Sequence, residues 1–481
     1  MSWRRRISSP LTPLVSTAAV LAVAVGAVSG FEPRLGFLMA IGIAFVVLVF
    51  MDLLVGFAAM VMFAYLEVLS ALEGLNLAKV AGALIVLAWL GVASTRGGRA
   101  RNFMAQRPGL AYLLLAFIAW NTISLAWAQD STEALSSVMR YALNAILIPI
   151  AFTAIRDRRD LVRILAVVVF GASIAAISAI LSPPEAESAI AGRAAGTVGD
   201  PNELAAALVV GLALATAFMA NRHISRPLRG LSAISAGLCL LGILISLSRG
   251  GLLGLGGALI VAVILGGKWR GRVIAVCVTL AATAVGYFAF AASLPAQERV
   301  LNVGNGGGTG RLDLWTVGWR MVEAHPFIGV GTGQFPIVSV HYLLRPGLIE
   351  RGDLILSTPK VAHNTYLNIV AEIGIVGGVL FGLILLFCVG CTFKAMKQFH
   401  DDGDERLEIL LRGLLAGVGG YFVTLIFISE NYAKLLWIVF ALGPVMLAIA
   451  RTPAAAEEQA ARDDLLPLPY PLRHSSVGPA P

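Results

Sequence analysis

Charge is scarce in this sequence: 13% of its 481 residues are Asp, Glu, Lys or Arg, while 58% are hydrophobic. Soluble domains carry about 25% charged residues. A water-soluble globule of this length would therefore lack the polar side chains to cover its surface. Cysteine is scarce too. The four, Cys239, Cys277, Cys388 and Cys391, all fall inside apolar runs, so the pattern holds no disulfide framework. Cys388 and Cys391 form a C-x-x-C whose spacing on a membrane helix merely puts two small packing residues on one face. There is no H-E-x-x-H, no paired-histidine spacing and no carboxylate cluster, so neither a metal site nor a cofactor is expected. No P-loop is present either. Gly329-Val330-Gly331-Thr332-Gly333 resembles a nucleotide loop only superficially, because the strand and helix that such a loop requires are missing around it.

What is present is a series of long apolar runs, at about 11–30, 36–51, 53–72, 77–94, 109–127, 141–155, 161–182, 204–220, 230–247, 251–267, 273–294, 365–391, 409–428 and 434–450. A bilayer core about 30 Å thick asks for about 20 apolar residues per helix. The expected fold is an all-α polytopic membrane protein with about 12–14 transmembrane helices and one large extracytoplasmic loop containing short helices. The 51 glycines, many inside those runs, suit close helix approach. Arg4-Arg5-Arg6 before Leu11–Gly30 has the charge of a signal peptide, but the apolar stretch is long and many spans follow, which points to an uncleaved first helix.

The net charge of +8 falls in short clusters between the runs and reads as topology rather than as a nucleic-acid face. Arg96, Arg99, Arg101 and Arg107 form one cluster; Arg156, Arg158, Arg159 and Arg163 another; Arg222, Arg226 and Arg229, Lys268, Arg270 and Arg272, and Lys394 and Lys397 the rest. The positive-inside rule makes these loops and both termini cytoplasmic, in a multi-pass protein of a cytoplasmic membrane. The loops at 129–137, 182–203, 295–363 and 429–434 then lie outside. The organisation expected is an N-terminal bundle over 1–294, an extracytoplasmic catalytic loop over 295–363, C-terminal membrane helices over 364–451 and a disordered cytoplasmic tail over 452–481. Within the loop, Leu312 to Val322 has helical periodicity with Trp315 and Trp319 four apart, as an interfacial helix would.

Topology does not explain the cations on the outer side: Arg140, Arg193 and Arg249 in short loops, and Arg299, Arg311, Arg320, Arg345, Arg351 and Lys360 in the long one. Arg249 sits in Ser248-Arg249-Gly250-Gly251, between two membrane helices. It either snorkels to lipid headgroups or captures a diphosphate, which a guanidinium does through two parallel hydrogen bonds. Asp200-Pro201-Asn202-Glu203 has the cap, proline and first-turn acid of a helix start. His363 lies at the mouth of the span after the long loop, in His363-Asn364-Thr365-Tyr366, as an interfacial residue or as a base with a pKa near neutrality. His325 and His341 also lie on the outer side, whereas His223, His400 and His474 do not.

Taken in order, these segments resemble the O-antigen ligase and O-antigen polymerase superfamily of bacterial membrane glycosyltransferases. The resemblance runs over roughly 195–390. It includes Gly199–Glu203, Ser248–Gly251, Gly310-Arg311 with Trp315, Pro326, Gly329, Gly331, Gly333, Phe335, His363–Tyr366, Glu372, Gly374 and Gly377. It implies a metal-independent, inverting transfer of glycan from an undecaprenyl-diphosphate carrier to a hydroxyl of a glycan, lipid or protein acceptor. By the same resemblance Arg249 and Arg311 would hold the diphosphate and His363 would orient or deprotonate the acceptor. Arg140, Arg193, Asp200, Asn202, Asn364 and Tyr366 would line the substrates. Ligase and polymerase share such a site, so the choice between them stays open. A transporter or flippase is a third reading, but its polar residues would run along a pathway instead of collecting at one face. Membrane lipids are expected partners; nucleic acid is not.

Overall fold

The computed structural model describes residues 11–66, 70–72, 75–95, 102–181, 193–301, 310–343, 349 and 360–452. Arg4–Arg6, the loops at 96–101 and 182–192, the glycine-rich stretch at 304–309, Arg345, Arg351 and the tail from 453 lie outside the described residues.

Each apolar run gives a helix, and polar residues at the run boundaries set where helices begin. The first are α1 (Leu11–Phe31), α2 (Pro33–Met51), α3 (Leu53–Phe63) and α4 (Leu77–Thr95). Asp52 separates α2 from α3 because its carboxylate accepts the Leu54 N–H at 2.9 Å and caps the new helix. The run expected over 53–72 is helical only to Phe63; a small antiparallel hairpin of Ser70–Leu72 and Leu75–Asn76 follows. Next come α5 (Pro108–Ile123), α6 (Ser131–Ala145), α7 (Leu147–Ala154), α8 (Arg158–Leu181), α9 (Pro201–Ala220), α10 (Arg226–Ile245), α11 (Arg249–Ile264), α12 (Arg270–Gly286), α13 (Leu294–Leu301) and α14 (Arg311–Ala324). The series closes with α15 (Thr365–Asp401), α16 (Glu405–Thr424) and α17 (Lys434–Ala450). Among the described residues, nine helical segments are long and apolar enough to cross a membrane, and five shorter apolar helices accompany them. The chain is an all-α polytopic membrane protein.

Helix α9 stands at the centre, packed against α8, α10, α11 and α16. Helix α17 is enclosed along its length, from Leu435 to Ala450, with Trp437 fully buried. Contact between α11 and α16 depends on small residues. A Cβ on Gly420 would stand 2.5 Å from the Gly254 carbonyl oxygen, so the two backbones could not approach this closely with larger side chains. Helix α12, in contrast, buries none of its residues.

The long loop has its own apolar cluster. Leu314, Val317 and Met321 of α14 meet Phe335, Val338, Tyr342 and Ala371. The opposite side of α14 exposes Leu312 and Trp319, each at 58%, while Trp315 turns inward with its ring 6.3 Å from that of Phe427. Helix α15 breaks at Gly374, whose φ of 69° and ψ of −178° are not helical. A break of this kind strands backbone groups that need partners. The segment 326–335 supplies them: Val330 N–H donates to Ala371 O at 3.0 Å, Gly331 N–H to Glu372 O at 2.8 Å, and Ile375 N–H to Pro326 O at 2.8 Å. The Glu372 carboxylate accepts the Phe335 N–H at 3.2 Å. A Cβ at Gly374 would lie 2.1 Å from Phe327 O, and one at Gly329, where φ is 68°, 2.3 Å from Glu372 O. The glycine-rich stretch that looks like a nucleotide loop is thus a backbone clasp that fixes the long loop to the broken helix.

Candidate functional site

The links before α9, between α10 and α11, and before α15 all emerge at one end of the bundle, together with α13 and the start of α14. Their side chains converge there. Asp200 caps α9 by accepting from Asn202 N–H at 2.6 Å and Glu203 N–H at 3.2 Å, as the sequence pattern requires. Asn202 then acts as a hub. Its Oδ1 accepts from Arg193 Nη2 at 2.8 Å and from Ser248 Oγ at 2.9 Å. Arg193 is 7% exposed and also donates from Nε to Ser246 O at 2.8 Å, which ties the loop before α9 to the turn before Arg249. Ser248 caps α11 by accepting the Gly251 N–H at 3.1 Å.

Arg249, the first residue of α11, closes the edge of its guanidinium on one backbone oxygen: Nε and Nη2 both donate to Arg299 O, the former at 2.7 Å. Arg249 therefore anchors α13. The side chain of Arg299 comes with it, and its buried Nε has no hydrogen-bond partner among the described residues. Arg311, the first residue of α14, makes no hydrogen bond to any described residue. Arg299 and Arg311 feel Arg249, Arg193 feels Arg299 and Arg311, and Arg193 and Arg311 share Asp200. Burial, then Arg299, push Arg193 down to about 10 despite Asp200. Burial lowers Arg311 below the usual arginine range, with Asp200 opposing and Arg299 and Arg249 adding to the shift. Burial and Arg249 lower Arg299 in the same way. Cations crowded to this degree in a half-buried space make a candidate anion site.

His363 faces the same cluster. Burial first, then Arg311 and Lys360, hold its imidazole below the ordinary histidine range, with Asp200 acting the other way. The ring is consequently neutral at pH 7 and able to take a proton. Its backbone lies at φ 48°. The other non-glycine residue at positive φ among those described is Leu247, at 50°, two positions before Arg249. Such conformations cost about 1–3 kcal/mol each and concentrate where a site demands them. The strain at His363 is held by its neighbours: Asn364 caps α15 through the Leu367 N–H at 3.0 Å, and Thr365 hydrogen-bonds Leu425, Ile428 and Glu430.

The structure thus brings together Arg193, Asp200, Asn202, Arg249, Arg311 and His363. It does not bring Arg140, which pairs with Glu133 at 3.2 Å and lies over the Tyr432 ring. Asn364 serves as a cap, and the Tyr366 hydroxyl donates to Phe422 O at 3.0 Å. Arg320 is consumed by the Tyr342 carbonyl at 2.8 Å. Arg299 and Lys360 join the cluster; in the sequence they stood out only as unexplained outer cations. His325 and His341 line a separate cavity of about 440 Å³ with Trp127, Gln129 and Tyr342. That cavity is at the other end of α14 from Arg311, about 20 Å away by helix rise. Among the described residues no three His, Cys, Asp or Glu side chains gather as a metal ion would require.

The fold defines an integral membrane protein with a cluster of guanidiniums and one imidazole at one end of its bundle. Residues 234–382 match the family model described as O-Antigen ligase, which bears out the resemblance to that superfamily; the stretch contains Arg249, Arg299, Arg311 and His363. A solved structure titled "Structural coordination of polymerization and crosslinking by a peptidoglycan synthase complex" is similar at 17% sequence identity and a TM-score of 0.40, over 72% of this chain and 98% of that one. No curated protein matches the chain.

Proposed function

We propose that this chain transfers a glycan from an undecaprenyl-diphosphate carrier to an acceptor hydroxyl on the outer face of a bacterial cytoplasmic membrane. The observation that carries the reading is the convergence of Arg193, Arg249, Arg299 and Arg311 with a neutral His363. The family match supports a glycosyltransferase of the ligase or polymerase type. In the transfer, the acceptor oxygen attacks the anomeric carbon as the bond from that carbon to the diphosphate oxygen breaks. The configuration inverts, and the hydroxyl proton passes to the imidazole of His363. Negative charge grows on the departing diphosphate, and guanidiniums already oriented towards it stabilise that charge without reorganising. Arg311 is the best placed to grip a phosphate oxygen, since Arg249 is engaged by the Arg299 carbonyl and acts first by holding α13. Fixing carrier and acceptor side by side supplies the proximity contribution.

The test is reconstitution of the purified chain with a defined undecaprenyl-diphosphate-linked glycan and candidate acceptors, without ATP. The expected result is a glycosylated acceptor with release of undecaprenyl diphosphate in equal amount. If the carrier is released only with ATP, or never, the reading fails. Doubling of the glycan on its own carrier, with no other acceptor present, would identify the polymerase branch.

A further inference from the structure

At the end of the bundle opposite the arginine cluster, a second opening lies between α9, α11, α12 and α16. It is an apolar cavity of about 210 Å³ walled by Ala213, Leu255, Leu259, Ala262, Val276 and Leu280. Its existence follows from packing: α12 buries none of its residues, so it stands off from α9 and α16 and leaves the gap. The mouth is polar. Arg222, His223, Trp269, Arg272, Glu405 and Arg412 surround it, at the level where α9 ends and α12 begins. Most of these charges are already matched. Glu405 is bound by Lys268 and, at 3.3 Å, by His223; Arg412 holds Glu408 at 2.6 Å. Arg222 and Arg272 are exposed and make no hydrogen bond or ion pair with a described residue. Trp269 carries Lys268 Nζ at 4.6 Å and the Arg412 guanidinium at 5.6 Å from its ring centre, which fixes the rim as an aromatic and basic belt.

We propose that this cavity binds one anionic phospholipid, with an acyl chain between α12 and the bundle and the headgroup phosphate between Arg222 and Arg272. An apolar slot under an unmatched pair of arginines, beside an interfacial tryptophan, is complementary to an amphiphile with a negative head. Its length selects the amphiphile. From Arg272 to Leu280 the wall of α12 rises about 12 Å, close to the roughly 15 Å of one leaflet of a bilayer. The upper part of one acyl chain fills the slot and its end continues along α12 into the bilayer, whereas most of a long isoprenyl chain would remain outside. The proposal does not depend on the reaction at the other end of the bundle.

The experiment is native mass spectrometry of the purified full chain in a neutral detergent. Dioleoyl phosphatidylglycerol, dioleoyl phosphatidylcholine, undecaprenyl phosphate and inorganic phosphate are each added in turn. One phosphatidylglycerol should be retained with about 30-fold preference over phosphatidylcholine, the size expected for two basic side chains against one anionic head. Arg222→Ala with Arg272→Ala should abolish the preference but keep weak binding of both lipids. Ala262→Phe, which fills the slot, should weaken both. Arg159→Ala with Arg163→Ala, at the same end of the bundle, should change neither. Phosphatidylglycerol should also raise the thermal midpoint of the wild-type chain and not that of Ala262→Phe, a readout that needs no arginine variant. Equal binding of the two phospholipids by the wild type would overturn the proposal, as would a preference that survives in the double arginine variant. So would displacement of phosphatidylglycerol by equimolar undecaprenyl phosphate or by inorganic phosphate alone.

Discussion

Arginines at the two ends of the bundle live under opposite conditions. At the end away from the cluster, Arg158 faces Asp404 at 3.4 Å, Arg163 faces Asp160 at 3.0 Å, and Arg412 faces Glu408 at 2.6 Å. At the cluster, Arg193, Arg299 and Arg311 lie among other guanidiniums, and the carboxylate that Arg193 and Arg311 have in common is Asp200. There each cation has its own carboxylate, so its charge is offset locally, at the exposed Arg163 and at the largely buried Arg158 and Arg412 alike. Crowded cations raise the energy of the folded chain, and burial adds to that cost. On the proposed function, the donor's diphosphate offsets that cost. Arg222 and Arg272, also at the far end, make no ion pair with a described residue, and they line the mouth of a cavity.

The largest effect expected from breaking this contrast is at His363. Replacing it with Gln keeps polarity and hydrogen bonding but removes the proton acceptor, so single-turnover transfer should fall by roughly 10²–10⁴-fold. Binding of the lipid-linked donor should be retained, because the guanidiniums remain. Near-normal transfer in His363→Gln would remove it from the mechanism and turn attention to His325 and His341.

The next effect compares one arginine from each end. Arg311→Ala should weaken donor binding by about 10–100-fold, the worth of a charge-assisted hydrogen bond to an anion. Arg311→Lys should recover only part of it, since a point charge does not reproduce the fork. Arg163→Ala should leave donor binding unchanged and cost no more than about 1 kcal/mol of stability, given its exposed side chain. Equal donor affinities in Arg311→Ala and the wild type would show that the crowding has no role in binding.

A smaller and more discriminating effect comes from Asp200→Asn. Asn caps helices as well as Asp, so α9 should keep its start. The charge that favours protonated His363 is lost, however, and the imidazole is held still further below its ordinary range. The acid limb of the pH–rate profile, where the base becomes protonated, should therefore move to lower pH, by up to about one unit. A limb that stays in place or moves upward would show that His363 does not titrate beside Asp200.

Much of this was legible in the residues. Each of the fourteen apolar runs contains a helix, though the one at 53–72 is helical only to Phe63, because hydropathy over about 20 residues is a local property. Asp200-Pro201-Asn202-Glu203 reads correctly as a helix start, since a cap bonds to N–H groups two and three residues away. The O-antigen ligase resemblance holds over the segment that contains Arg249, Arg311 and His363. Arg299 could not be singled out, because its place depends on a carbonyl held by a residue 50 positions earlier.

By itself, then, the sequence determined that this is a helical membrane protein, where the helix at Pro201 begins, and which cations stand outside the basic clusters. Each of these follows from contacts within a few positions along the chain. Only the tertiary structure decided which of those residues meet. It set Arg140 apart with Glu133, made Asn202 a hub, and turned Gly329–Gly333 into a clasp on a helix break about 40 residues later. It also gathered four guanidiniums and an imidazole from segments spread between residues 193 and 363. Long-range electrostatic and backbone partners are set by packing, and no local pattern encodes them.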